Sequence, residues 1–257
     1  MKKITKIFCI CLLFAVVTSF GQAREYYQLK VYSFETAAQE ELTDDYLENA
    51  FLPALKRLDI QNVGVFKPRP TDSITPKKTY VLIPFNSLAQ FSLLEDTLLK
   101  DKTHLTAGAS YLDTPHDKPA YTRIESTLMK AFVDMPKMMA SKLDGPRKDR
   151  IYELRSYEAA TEQLYKTKVD MFNAGGEVKL FDDLGFNAVF YAEVISGSQM
   201  PNLMYMTTHA NQETRDANWK NFVDSPVWSK LKVIPKYQNT VSRNDTKFLY
   251  PTAYSDY

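Results

Sequence analysis

Cysteine occurs only at Cys9 and Cys11 of the 257 residues, and the chain has just three histidines and eight glycines. Neither sign of charge prevails, with 32 Lys+Arg against 31 Asp+Glu. Each scarcity excludes something. Both cysteines lie inside an apolar run near the start, so the rest of the chain has no disulfide, thiolate nucleophile or cysteine metal site. The histidines, His104, His116 and His209, show no pair at i, i+3 or i+4, and no metal is expected from such spacing. Ala174-Gly175-Gly176-Glu177 holds the one glycine pair, placed to end a helix. No phosphate-cradling loop, dinucleotide fingerprint or nucleophile elbow is present. A balanced charge argues against a nucleic-acid partner, which would call for a basic excess. Ordinary apolar content, 44%, argues against disorder.

Long apolar runs are equally scarce. The one that stands out, Ile7 to Phe20, follows Lys2, Lys3 and Lys6 and precedes small residues at Ser19, Gly21 and Ala23. Its 14 residues fall short of the ~20 needed to span a bilayer. The pattern is that of a leader peptide over residues 1–23, cut after Gly21 or Ala23, which predicts export to a periplasmic or secreted location with no membrane span in the mature chain. Its removal takes away three lysines, no acid and both cysteines, leaving 29 Lys+Arg against 31 Asp+Glu. A thiol-free protein in an oxidising space takes its stability from core size instead of staples.

A repeat organises the rest. Tyr26-Tyr27-Gln28-Leu29-Lys30-Val31-Tyr32 lines up with Ile151-Tyr152-Glu153-Leu154-Arg155-Ser156-Tyr157 at an offset of 125. An amphipathic segment follows each: Leu42, Tyr46, Leu47, Ala50, Phe51, Ala54, Leu55 and Leu58 in the first copy, with Pro53 a kink or restart, and Leu164, Lys168, Val169 and Phe172 in the second. Strands are predicted at 62–66 and 80–85, matched by 186–190 and 203–208. A second helix starts at Ser87 in one copy and runs 212–223 in the other, and closing strands fall near 121–126 and 240–249. The order is β-α-β-β-α-β, used twice. The chain thus divides into residues 24–133, a linker at 134–149 and residues 150–257. Arg147-Lys148-Asp149-Arg150 reads as a solvated turn.

Strand alternation puts Tyr27, Leu29 and Val31 on one face of the first strand and Gln28, Lys30 and Tyr32 on the other; Tyr152 and Leu154 oppose Glu153, Arg155 and Tyr157 in its partner. The expectation is that each apolar face lies under its own helices while the polar faces meet in a shared interior. Charges enclosed there must be paired and hydrogen-bonded. Two readings follow: a polar-lined cavity in which Arg155 or Lys30 holds an anionic or carbonyl ligand and Glu153 acts as base, or an ion pair between Glu153 and Arg155 or Lys30 that sets register.

Ile151-Tyr152-Glu153-Leu154-Arg155-Ser156-Tyr157 resembles the opening of a NIPSNAP domain. So do Leu184-Gly185-Phe186, Asp224-Ser225-Pro226-Val227-Trp228 and the closing Phe248-Leu249-Tyr250-Pro251-Thr252-Ala253-Tyr254-Ser255. The first copy resembles the family in outline, with Ala109-Ser110-Tyr111 where Pro226-Val227-Trp228 would stand. The resemblance implies an α+β fold of two tandem ferredoxin-like units whose antiparallel sheets pack as an α+β barrel within one chain. Relatives of that fold include cofactor-independent monooxygenases, haem-degrading enzymes and plain binding proteins, so it selects no reaction.

The leading functional expectation is binding of a small, partly apolar ligand in the barrel lumen, oriented by Lys30, Tyr32, Arg155 and Tyr157 and completed by Glu153, with no cofactor and a possible homo-oligomer. The rivals are a monooxygenase-like oxidoreductase with Glu153 or His209 as base, and a non-catalytic scaffold. His209, at the end of a strand where the first copy has Asn86, reads first as a cap or loop histidine and second as a base or ligand donor. Trp219, Phe222 and Trp228 read as core first and ligand wall second. Arg215 pairs or stacks with Glu213, Asp216 or Trp219.

Overall fold

A computed structural model describes residues 23–70 and 75–257. All but Ala23 of the expected leader therefore lies outside the described residues. In the first half, β1 (Tyr26–Ser33) leads through α1 (Ala37–Tyr46), one π-helical turn and α2 (Leu52–Arg57) to β2 (Gly64–Pro68) and β3 (Lys78–Phe85). Then come α3 (Leu88–Leu98), the short α4 (Lys102–Ala107) and α5 (Ala109–Leu112), and β4 (Arg123–Ala131). The second half repeats the plan with β5 (Ile151–Glu158), α6 (Glu162–Phe172), α7 (Glu177–Asp183), β6 (Ala188–Ser196) and β7 (Asn202–His209). It closes with α8 (Gln212–Asp224), α9 (Pro226–Leu231) and β8 (Arg243–Pro251).

Local chemistry sets the boundaries. Thr36 caps α1 in a capping box with Gln39, and Thr161 and Asn211 accept from Leu164 N and Thr214 N to start α6 and α8. Pro53 falls in the first turn of α2, so the helix restarts after the π-turn. The expected single last helix is two: Ser225 caps α9 with Pro226 in its first turn. Gly185 takes φ 75°, a left-handed value, in the turn into β6.

The eight strands form one closed antiparallel barrel in the order β1-β3-β2-β8-β5-β7-β6-β4, with β4 returning to β1. Each half contributes a four-stranded sheet, and the halves join where β2 meets β8 (Phe66 opposite Pro251) and β4 meets β6 (Ala131 opposite Ala192). Among the described residues, closure leaves no sheet edge free. No helix among the described residues is long and apolar enough to cross a membrane.

The structure reverses the expected facing of the strands. Tyr27, Leu29, Tyr152 and Leu154 point into the lumen, where they pack with Phe66, Leu82, Met129, Phe190, Met206 and Leu249. The faces carrying Lys30 and Tyr32, and Glu153, Arg155 and Tyr157, lie beneath the helices of their own halves. The reason is the relative dryness of the two compartments. The lumen is walled by strands on every side, and an unpaired charge there would find no partner. The layer between sheet and helix is open at its flanks, so long side chains reach water or a helix-borne counter-charge.

One end of the barrel is sealed. Tyr257 sits against Phe66 and Tyr152, with ring centres 5.8 and 6.3 Å away. Arg147 holds the tail through the carbonyls of Ser255 (2.7 Å) and Tyr257, and Arg150 donates to Leu143 O at 2.6 Å. The segment is the exposed turn expected, and its two arginines also serve as structural ties. The connecting segment is pinned as well: Phe132 N donates to Tyr191 O and Met139 N to Val189 O, at 2.9 and 3.0 Å.

Candidate functional site

Beneath α8 lies the densest polar cluster. Glu153, in the middle of β5, is 0% exposed. Arg215 grips it with two bonds, Nε to Oε2 at 2.8 Å and Nη2 to Oε1 at 2.9 Å, and Trp219 Nε1 donates to Oε2 at 2.9 Å. Arg215 and Trp219 are four residues apart on α8, so one helix face delivers both to the sheet. Arg155 adds a second cation, its Nη1 3.3 Å from Oε1, and its guanidinium lies 4.4 Å from the Trp219 ring centre and 5.5 Å from that of Tyr157. The Tyr157 and Tyr205 hydroxyls share a hydrogen bond of 2.9 Å, and burial pushes both phenols up. Beside them Lys168 pairs with Glu177 at 2.8 Å, both buried.

His209 ends β7 as a 0% exposed side chain packed on Phe186, neither a cap nor a loop residue. Burial pulls its pKa down to about 4 although nearby Glu153 pulls the other way, so it is neutral near pH 7. Its Nε2 stands 3.4 Å from Thr207 Oγ1 and its Nδ1 3.3 Å from Asn218 Nδ2. A base must reach the proton it takes. In this arrangement Glu153 has both oxygens engaged and His209 is shut away from solvent.

In the first half the matching positions are milder. Gln28 donates to Ser126 Oγ at 2.9 Å. Lys30 reaches Glu95 at 3.5 Å and lies over the Phe51 ring at 5.3 Å, while Tyr32 is buried in the aromatic core. His104 shares a 3.0 Å bond with the Tyr46 hydroxyl, buried, and His116 is exposed. No group of three or more His, Cys, Asp or Glu among the described residues could hold a metal. Of the sequence-derived candidates, Glu153, Arg155, Tyr157 and His209 thus come together, whereas Lys30 and Tyr32 lie in the other half's layer.

The lumen offers a different site. Opposite the sealed end it opens as a cavity of about 320 Å³. Leu29, Val31, Tyr80, Leu154 and Met204 wall it, with strands of both halves contributing. Polar groups stand at the lip: Lys78 faces Glu125 at 3.7 Å, Lys247 pairs with Asp245 at 2.9 Å, and buried Ser156 and Asn202 bond each other. The lip charges are thus paired with their opposites. Sequence reading missed all of these except Leu29, Val31 and Leu154, which it assigned to the helix-covered face.

Comparison with known proteins places these features. Residues 152–256 match the model of the NIPSNAP family, and the match is confined to the second half of the chain. No curated protein matches the sequence. Among solved structures, a candidate monooxygenase from Lactobacillus acidophilus NCFM is similar at 12% identity and TM-score 0.55, over 89% of this chain and 94% of that one. A candidate monooxygenase from Fusobacterium nucleatum subsp. nucleatum ATCC 25586 is similar at 9% identity and TM-score 0.51, over 90% and 93%. An anthrone oxidase-like protein has 9% identity and TM-score 0.50 over the same shares. At such identities the likeness is one of fold.

Proposed function

We propose that the protein is an exported binding protein that holds a small, partly apolar molecule in the mouth of its barrel. The observation that carries this reading is the 320 Å³ cavity at the unsealed end, where an apolar wall of Leu29, Val31, Tyr80, Leu154 and Met204 shares the lining with a larger set of polar groups. Such a lining suits a ligand whose apolar part is desolvated against that wall while the polar groups set its orientation. Ser156 and Asn202 suit the orienting role, because their mutual bonds leave an amide N–H and carbonyl lone pairs unspent among the described residues. The paired lip charges favour a ligand with little net charge. Export rests on the leader pattern of residues 1–23.

The test is native mass spectrometry of protein expressed with its leader and recovered from the periplasm. A co-purifying small molecule should be present on the wild type and absent from Thr127→Trp, which puts an indole into the mouth from β4. A ligand retained equally by the variant, or none on the wild type, would defeat the proposal. Oxygen consumption on adding the released molecule would instead support an oxygenase, the activity named for two structures of this fold.

A further inference from the structure

The end of α8 and the chain that follows it turn two kinds of side chain in opposite directions. Inward go Phe222, Trp228, Leu231 and Tyr237. The Phe222 and Trp228 rings lie 4.5 Å apart, and Leu231 and Tyr237 are buried with Met171 of α6. Outward go Val223, Val227 and Val233, each more than half exposed, and Ile234 at 38%. The backbone fixes them there. Ser229 N donates to Ser225 O and Lys232 N to Trp228 O, both at 2.9 Å, and Ile234 N donates to Leu231 O at 3.2 Å. Single exposed aliphatics are ordinary on a protein surface. Four of them between positions 223 and 234 keep in water an apolar face that burial would stabilise by ~25 cal/mol per Å².

The uncompensated charge on this face has one sign. Lys220 is engaged by Asp224 at 2.5 Å and Lys236 by Asp170 at 2.8 Å. Lys230 and Lys232 are exposed among the aliphatics, with no ion-pair partner among the described residues. A second copy of this chain fits such a face poorly. A two-fold contact would set the same lysines against each other, and lysine is depleted from protein interfaces. Four aliphatic side chains also fall well short of the ~800 Å² per partner that a stable interface covers. A lipid surface makes neither demand. Aliphatic side chains enter the boundary between headgroups and acyl chains, while lysine stems let their ammonium groups reach the phosphates. We infer that the face formed by the end of α8, α9 and residues 232–234 docks reversibly on a membrane surface rich in anionic phospholipid.

Co-sedimentation with lipid vesicles, using protein expressed from the full sequence, tests this. Vesicles of mixed phosphatidylcholine and phosphatidylglycerol should pellet the protein at about 50 mM salt and release it at about 500 mM, as screening of exposed charges requires. Lys230→Gln with Lys232→Gln should weaken partitioning roughly thirtyfold, at ~1 kcal/mol for each basic residue near an anionic surface. Val227→Ser with Val233→Ser should weaken it about tenfold or more and leave the salt dependence unchanged. Leu93→Ser with Leu99→Ser removes equally exposed leucines from α3 of the other half and should bind as the wild type does. All six positions are exposed, so each double variant should melt with the wild type. Any contribution from the amino-terminal apolar run is common to every variant and cannot produce these differences. No binding to the mixed vesicles, or wild-type binding by either the glutamine or the valine-to-serine variant, would overturn the inference. So would an equal loss on pure phosphatidylcholine vesicles, or a dimer in analytical ultracentrifugation that Val227→Ser with Val233→Ser abolishes, which would assign the face to a second copy.

Discussion

Replacing Glu153 with glutamine keeps the volume of the side chain and removes one charge from a place with no solvent. The carboxylate is 0% exposed and accepts two bonds from Arg215 and one from Trp219, with Arg155 alongside. Glutamine retains one acceptor oxygen and turns an N–H₂ toward groups that can only donate, while two guanidinium groups lose their buried counter-ion. Breaking a buried pair in this way costs about 3–5 kcal/mol. At roughly 2–4 °C per kcal/mol for a chain of this size, the melting temperature should fall by about 6–20 °C. Differential scanning calorimetry at pH 7 measures it. The cycle with Arg215→Gln should be far from additive, because removing Arg215 as well leaves less charge uncompensated. A drop under about 2 °C would show that Glu153 is not needed to balance the layer, and would restore the possibility that it is kept as a base.

Two further outcomes follow from geometry. His209 has its pKa lowered from 6.5 to about 4, so the unfolded chain binds its proton first as pH falls. Its contribution to stability is whole above pH 6.5 and is lost on descending towards pH 4, on the order of 3 kcal/mol in total. Urea midpoints of the wild type and His209→Gln should therefore differ by a pH-dependent amount in that window, and a constant difference would be evidence against it. A Cβ on Gly64 would stand 2.4 Å from Cε2 of Phe66, a 0% exposed ring held beside Tyr152 and Tyr257. Gly64→Ala should cost about 1–3 kcal/mol by overpacking, read as a lowered urea midpoint; an unchanged midpoint would mean the sealed end is looser than its contacts indicate.

The architecture was legible because the repeat at offset 125 and the alternation in β1 and β5 are local signals, and the β-α-β-β-α-β order admits few ways of closing. Which face turned inward was not legible. Both faces of β5 are covered, so Leu154 and Arg155 are each largely buried, and alternation tells the two compartments apart without saying which is the drier. Arg215 illustrates the second limit. In sequence its partners are Glu213 and Asp216, whereas its strongest bonds go to Glu153, 62 positions earlier. The mouth residues lay further out of reach, since Lys78, Glu125, Asp245 and Lys247 become neighbours only when the register of four strands is known. Lys168, with its buried mate Glu177, sat on an expected helix face and carried no mark distinguishing it from a surface lysine.

Joining both ferredoxin-like units in one polypeptide has an evolutionary consequence. A barrel assembled from two copies of one gene product must carry any mutation twice, once on each side of its axis. Here Glu153 faces an arginine clamp while its counterpart Gln28 makes a single modest bond to Ser126, and a histidine–tyrosine pair occupies one wing alone. Fusion lets one wing drift towards pure support while the other is free to acquire chemistry that a symmetric ancestor could not have tolerated in duplicate.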